Sequence, residues 1–214
     1  MRDSMVVSQF TQGQLVRVDL EEELTEYEFK EGLELSEIIT TYSPVLTARE
    51  LLASGLVLAA AVLGSVYLYR RKRIRASQAV AISAMTAFLL LVVGVTLLSR
   101  PPWERSYELM PFWSYGAIAR GMPGMLREVV LNCIMLLPAG VLLPFIFGRP
   151  LRWHRGLLFG VVCSGCIEIA QLVSCRGLCE TDDVIHNSIG CMVGCVVGSW
   201  VIGRLQGRKT GDNK

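Results

Sequence analysis

Eight acidic, basic or amide side chains lie within the 28 residues from Ile167 to Gly194. The stretch starts inside one apolar segment, crosses a short polar loop and re-enters apolar sequence. A charge near the centre of a membrane helix costs roughly 2.5–3.5 kcal/mol on insertion scales, so such groups are kept for a purpose. We therefore interpret this stretch as the candidate site and the rest of the chain as the structure that positions it. The eight residues are Glu168, Gln171, Arg176, Glu180, Asp182, Asp183, His186 and Asn187.

Glu168 and Asp183 are the candidate catalytic pair. Two carboxylates at one depth can differ in pKa and divide the roles of acid and base. Glu168 lies about 10 Å inside its apolar segment, with Gln171 one turn away on the same helix face. Structural alternatives exist for the loop acids, because Asp182 or Asp183 could cap the next helix and Arg176 could pair with Asp182. Glu168 resists such an explanation, because a buried carboxylate needs a partner or a raised pKa.

Five apolar segments of 19 or 20 residues predict an all-α, polytopic membrane bundle. The chain is 52% hydrophobic, and its mean hydropathy is +0.44. Its net charge of +2 does not suggest nucleic acid as a partner. Pro138 and Pro144 predict a kink in the third segment. The segments span residues 51–69, 79–98, 129–147, 156–174 and 184–203.

Further polar residues belong to the same level of the predicted bundle. Arg127 and Glu128 open the third segment, and Asn132 follows Glu128 at i+4. Asn132 and Asn187 could instead be interhelical hydrogen-bond partners that hold the bundle together. The pattern places polar side chains of three helices at one depth, and we expect them to bind a ligand.

Charge is distributed unevenly and predicts an orientation. Residues 1–45 hold ten acids and three bases, whereas residues 70–75 hold five bases and no acid. Short loops rich in Lys and Arg stay in the cytoplasm, which predicts an external N-terminus, a cytoplasmic C-terminus and a site in the outer leaflet half.

Two polar regions allow more than one interpretation. Residues 1–48 form an acidic segment that could be disordered, although Val16, Val18 and Leu20 alternate like a strand and residues 21–40 could form a weak helix. The transmembrane domain is then 49–214. The aromatic loop 99–128 could be an interfacial belt or a lid over the site.

Small residues in the fifth segment indicate close helix packing. Gly190, Gly194 and Gly198 recur every four residues, which predicts tight contact with the fourth segment or, alternatively, association with a second protein. Of the seven cysteines, Cys175 and Cys179 lie in the loop and could form a local disulfide.

Other kinds of chemistry have weak support in the sequence. We expect no cofactor and no metal, because His154 and His186 fall on opposite sides of the predicted membrane. Cys163 and Cys166 have redox spacing without a βαβ context. A Ser164–His186 dyad would be needed for an intramembrane protease, and no nucleophile motif surrounds Ser164.

The ordered motifs between residues 105 and 203 resemble those of the VanZ-like membrane protein family. Three features depart from the family pattern: Glu180 stands where Asp is more usual, His186 replaces an apolar residue, and Arg176 precedes a glycine instead of following one. The motifs are Leu109-Met-Pro-Phe112, Arg127-Glu128, Asn132 with Pro138-Ala-Gly140, Ile167-Glu-x-x-Gln171, Arg176, and Glu180-Thr-Asp-Asp-Val-Ile-His-Asn-Ser-Ile-Gly190.

The resemblance implies a bacterial plasma-membrane protein tied to resistance to glycopeptides, chiefly the lipid-bearing teicoplanin. The leading hypothesis is a non-hydrolytic protein that binds or excludes a lipoglycopeptide or a lipid-linked cell-wall precursor among membrane lipids. One alternative is an enzyme that modifies such a precursor or a lipid with Glu168 and Asp183. Another is a structural partner of a second membrane protein through the fifth helix.

Overall fold

The structure, a computed structural model, describes residues 7–11, 14–18, 46–102, 104–122 and 124–211, with side chains from residues 46–102, 104–122 and 124–206. Chain contacts divide the protein into two units, Met1–Ser43 and Pro44–Lys214. In the first unit, strands β1 (Val7–Thr11) and β2 (Gln14–Val18) pair antiparallel with Val7 opposite Val18. Strand β2 contains the predicted alternation at Val16 and Val18. Leu20 and the predicted helix 21–40 lie outside the described residues.

Among the described residues of the second unit, five helical segments are long and apolar enough to cross a membrane, which confirms the predicted helix bundle. They begin three or four residues before the predicted apolar segments, because polar first turns are helical too. The elements are α1 Ala48–Arg70, α2 Ala76–Val93 with its π-helical continuation Gly94–Leu98, β3 Ser106–Glu108, α3 Trp113–Ala119, α4 Met125–Met135, α5 Leu137–Phe147, α6 Trp153–Ser174, β4 Leu178–Glu180 and α7 Thr181–Gly211.

The third span is two helices, α4 and α5, joined at Leu136, whose backbone leaves helical geometry at φ −96° and ψ 3°. Pro138 lies in the first turn of α5, where its missing N–H removes no helical hydrogen bond. The predicted kink is therefore found just before Pro138. Pro144 lies inside α5, which continues past it to Phe147.

Helix α7 packs between the third span on one side and α6 on the other. A Cβ added at Gly190, Gly194 or Gly198 would overlap backbone carbonyls of the third span, at Cys133, Leu137 and Val141 respectively. The close packing predicted between the fourth and fifth spans is present, but it uses the other face of α7, and the glycine stripe itself faces the third span. Small-residue spacing signals a close approach but does not say which neighbour approaches.

Helix α6 reaches the opposite face of α7 through glycines of its own. A Cβ at Gly156 would lie 3.0 Å from the Cys191 carbonyl oxygen, and one at Gly160 would lie 2.7 Å from Ser188 Cα. Leu136, Cys191 and Cys195 are fully buried where these helices meet. Helix α1 packs on α2, where the hydroxyls of Ser65 and Ser83 are 3.2 Å apart.

The close contact of α7 with the third span predicts that Gly194→Ala destabilises the protein. Its new Cβ would press on the Leu137 carbonyl oxygen, and overpacking of this kind costs about 1–3 kcal/mol. Gly165→Ala in α6 is the control, because nothing lies within 4 Å of a Cβ built there. Thermal unfolding of the purified variants should show a lower midpoint for Gly194→Ala alone. Equal midpoints would contradict the packing described here.

Candidate functional site

The loop between α6 and α7 turns sharply and is held by a second loop. Helix α6 ends at Ser174, the next residue Cys175 adopts left-handed geometry at φ 55°, and Gly177 follows at φ 129°. Strand β4 then pairs parallel with β3, placing Tyr107 opposite Cys179 and Glu108 opposite Glu180. The aromatic loop 99–128 therefore folds back onto the end of the bundle that carries the candidate site.

Asp182 anchors helix α3 to the start of α7. Helix α3 begins after Phe112, whose side chain does not cap it. Asp182 supplies the cap instead, because its carboxylate accepts hydrogen bonds from the Phe112 N–H at 2.5 Å, the Ser114 N–H at 3.0 Å and the Ser114 hydroxyl at 2.5 Å. Asp182 is fully buried. It thus caps a helix about 70 positions earlier in the chain, and it neither caps its own helix nor pairs with Arg176.

A second contact fixes the same short helix. The hydroxyl of Tyr115 lies 3.1 Å from Nε2 of His186, one turn along α7 from Asp182. The threonine hydroxyl of Thr181 also donates to the Leu109 carbonyl oxygen at 3.2 Å. Segment 109–119 is therefore pinned over the N-terminal end of α7, which is the position that a cover for the site would occupy.

Four carboxylates gather beneath this segment, and we call them the carboxylate cluster: Glu128, Glu168, Glu180 and Asp183. Glu168 is 4% exposed and accepts a hydrogen bond from the Glu180 N–H at 2.9 Å. Asp183 accepts one from the side-chain amide of Asn132. The structure therefore brings together the acids of α4, α6, β4 and α7 at one end of the bundle.

Arg100 supplies a positive charge that acts on the carboxylate cluster. Arg100 is close enough to stabilise the charges of Glu128, Glu168 and Asp183. Its guanidinium also lies beside Gly177, where an added Cβ would stand 2.7 Å from Nη1. Arg176, which the sequence allowed to pair with Asp182, lies at the end of the second span instead.

Gln171 and Arg176 hold the end of the second span. The π-helical segment Gly94–Leu98 leaves carbonyl groups without helical partners, and such groups must be satisfied at membrane depth. Gln171 Nε2 donates to the Thr96 carbonyl oxygen at 3.1 Å. Arg176 Nη1 donates to the Leu98 carbonyl oxygen at 3.0 Å. Both contacts are structural, and they fix the chain that leads to Arg100.

Asn187 connects to the carboxylate cluster through Ser164. The amide of Asn187 donates to the Ser164 hydroxyl at 2.9 Å, and that hydroxyl donates to the Asp183 carbonyl oxygen at 3.4 Å. Because Ser164 bonds Asn187 while His186 faces Tyr115, the two do not form a dyad. Within the described part of the chain, Arg127 is half-buried with Nε unpartnered.

The thiols are all free. Cys175 and Cys179 are both reduced in the structure, so the local disulfide is not formed. Burial and the carboxylates nearby, Glu168 first among them, raise the pKa of the Cys179 thiol. Among residues 46–102, 104–122 and 124–206, no group of three or more His, Cys, Asp or Glu side chains is placed to hold a metal ion.

Glu180 carries a proton more readily than an ordinary carboxyl. Burial raises the pKa of Glu180 to about 8, and the negative charge of Asp183 adds to the effect. Glu128 and Glu168 push the pKa in the same direction. Glu180, which lies in β4 between the fourth and fifth spans, is therefore the member of the cluster that favours its protonated form.

Sequence reasoning missed the residues that complete the site from loop 99–128. Ser114, Tyr115 and Arg100 reach it across about 70 positions of chain, which no local pattern shows. The signal that could have found them was the Pro- and aromatic-rich loop itself, for which a lid was one of our two interpretations.

A family model described as VanZ/LLP1 matches residues 84–202, which is more than half of the chain. The match includes every member of the carboxylate cluster, helix α3 and the glycine stripe, and it confirms the resemblance seen between residues 105 and 203. Neither a curated protein nor a solved structure matched the chain.

The raised pKa of Glu180 predicts a pH-dependent stability. Because the folded protein holds this proton while an unfolded carboxyl releases it near its ordinary value of 4.5, Glu180 costs stability increasingly as pH rises from about 4.5 to about 8. Glu180→Gln removes that cost. Thermal unfolding of both proteins is measured across this pH range. The unfolding midpoint of the variant should rise relative to that of the wild type as pH rises. A difference that is constant or shrinks with pH would contradict the assignment.

Proposed function

The chain belongs to the VanZ/LLP1 family, and from that premise we propose that it is a bacterial plasma-membrane protein that lowers susceptibility to lipoglycopeptide antibiotics such as teicoplanin. The family match supports a link to glycopeptide resistance. The observation that carries the proposal is the carboxylate cluster, held at one end of a membrane bundle beneath a pinned segment.

The site suits an amphiphilic ligand. Four carboxylates with Arg100 beside them favour a group that is cationic or rich in hydrogen-bond donors. The pinned segment exposes Leu109, Met110 and Phe112, each about 60% or more exposed, which offers an apolar surface next to the acids. An antibiotic with a lipid tail and a lipid-linked cell-wall precursor both combine these two features.

The orientation that we propose puts the carboxylate cluster outside. Two basic loops lie at one end of the bundle: Arg70–Arg75, and the loop with Arg149, Arg152 and Arg155. They lie together because Gln78 Nε2, at the start of α2, donates a hydrogen bond of 2.8 Å to the Ile146 carbonyl oxygen near the end of α5. The cluster lies at the other end. Short basic loops favour the cytoplasm, which leaves the site in the outer leaflet half, the N-terminus outside and the C-terminus inside.

An enzyme that modifies a lipid-linked precursor or a lipid is the second candidate. It is favoured by the gathering of Glu168 and Asp183 in one cluster, because neighbouring carboxylates can divide the roles of acid and base. Glu168 and Asp183 would be that pair. A covalently altered precursor, detected by mass spectrometry in membranes that contain the protein and absent from those that lack it, would favour the enzyme over a binding protein.

Association with a second membrane protein would not use the glycine stripe, because Gly190, Gly194 and Gly198 already contact the third span. The exposed valines of α7, among them Val193 and Val197, offer the alternative face. Activity of this protein alone in an unrelated host would argue that no such partner is required.

The orientation is tested by reporter fusions. A reporter fused after Arg73 should report the cytoplasm, because Arg73 lies in the loop that holds five bases, and one fused near Ser106 should report the exterior. The measurement is the activity of a reporter that works on one side of the membrane. The same side for both fusions would overturn the orientation.

The function is tested by Glu168→Gln. The amide keeps the shape of the side chain but cannot carry charge or exchange a proton, so resistance to teicoplanin should fall to that of cells without the protein. Glu104→Gln is the matched control, because Glu104 is exposed and lies in loop 99–128 outside the cluster. Inhibitory concentrations are compared at equal protein levels in the membrane fraction. Full resistance with Glu168→Gln would end both the binding and the enzyme proposals.

A further inference from the structure

A strongly basic turn lies at the end of the molecule opposite the carboxylate cluster. Residues 70–75 contain five bases, and their side chains are exposed. The sequence has no acid between Glu50 and Glu104, so no neighbour along the chain neutralises this turn. The family model begins at residue 84, and the turn therefore lies outside the matched region.

The turn forms a cleft with the end of α1. Tyr67, Leu68, Arg71 and Arg73 line a cleft of about 350 Å³. The Arg71 guanidinium lies 5.3 Å from the centre of the Tyr67 ring, a cation–π contact that holds it over the helix. The cleft thus combines two guanidinium groups with an aromatic ring and an aliphatic side chain.

Backbone hydrogen bonds fix the turn from which the two arginine side chains project. The N–H groups of Arg71 and Arg73 donate to the carbonyl oxygens of Tyr67 at 2.9 Å and Leu68 at 3.0 Å, and Lys72 between them adopts φ 56°. These backbone donors are therefore occupied. The guanidinium groups are the donors that the cleft offers to a ligand.

We propose that this cleft binds the phosphate headgroup of an anionic phospholipid. A guanidinium donates two parallel hydrogen bonds to phosphate oxygens, and two of them lining one cleft suit a phosphodiester. The last turns of helix α1, next to the cleft, present an exposed apolar surface on which Leu63 and Tyr67 are more than half exposed. Acyl chains lie along this surface, which selects a phospholipid over free phosphate.

The basic turn would also act as a topology signal, and general attraction to an anionic surface needs no cleft. The loop at Gly148 provides the comparison, because it lies at the same end: Gly148 packs against Gln78, where an added Cβ would stand 3.2 Å from the side chain. Arg149 and Arg152 in that loop are exposed and are not among the residues that line the cleft. Removing either pair of arginines lowers the charge of this end equally.

The experiment compares the full-length protein with two double variants in nanodiscs of phosphatidylcholine with added phosphatidylglycerol. Arg71→Gln with Arg73→Gln removes the cleft's donors, and Arg149→Gln with Arg152→Gln is the control of equal charge. Native mass spectrometry measures the phosphatidylglycerol that each protein retains. Retention should fall on the order of tenfold for the cleft variant and stay near wild type for the control.

Equal losses in the two variants would overturn the proposal, because the binding would then follow charge alone. Displacement of the lipid by excess inorganic phosphate would overturn it as well, since the acyl chains would contribute nothing. Tyr67→Leu keeps every charge but removes the ring under Arg71, and it should weaken retention too. Thermal unfolding shows whether the double cleft variant folds. If it does not, phosphatidylglycerol retention by Tyr67→Leu tests the proposal in its place.

Discussion

The structure depends on the close approach of α7 to the backbone of the third span. At Gly190 the approach is so near that a Cβ would overlap the Cys133 carbonyl oxygen. Asn132, the neighbour of Cys133, thereby reaches Asp183 near the start of α7. A polar group at membrane depth cannot hydrogen-bond to water. The site therefore forms only because the helices come close enough for their polar side chains to hydrogen-bond to one another.

The adjacent acids Asp182 and Asp183 at the start of α7 have different partners, because the side chains of successive helix residues point about 100° apart. Asp182 faces loop 99–128 and caps α3, whereas Asp183 faces Asn132 and the carboxylate cluster. Gln171 and Arg176, which lie in the same sequence motifs as Glu168, satisfy the π-helical end of the second span. The polar residues between Ile167 and Gly194 therefore comprise a cluster of acids and the supports that hold it.

The sequence predicted the parts of this arrangement that local patterns encode. Five long apolar stretches predicted the spans, and helix periodicity brought Glu168, Asp183 and Asn132 to one end of the bundle. The contact of Asp182 with α3 joins residues 70 positions apart, and no periodicity reports such a contact. A π-helical turn follows from tertiary fit more than from its residues, so the partners of Gln171 were equally hidden.

We infer that the Glu168 carboxylate is kept for its charge and its proton, at a cost to stability. Glu168 is buried, beside other acids, and accepts one N–H from Glu180. Removing a buried charge while keeping the side-chain shape often stabilises a protein, and the Gln oxygen can still accept that hydrogen bond. The most direct measurement is the unfolding midpoint of purified Glu168→Gln in the same membrane mimetic as the wild type. We expect a midpoint equal to or above that of the wild type. A clearly lower midpoint would show that the carboxylate serves the fold.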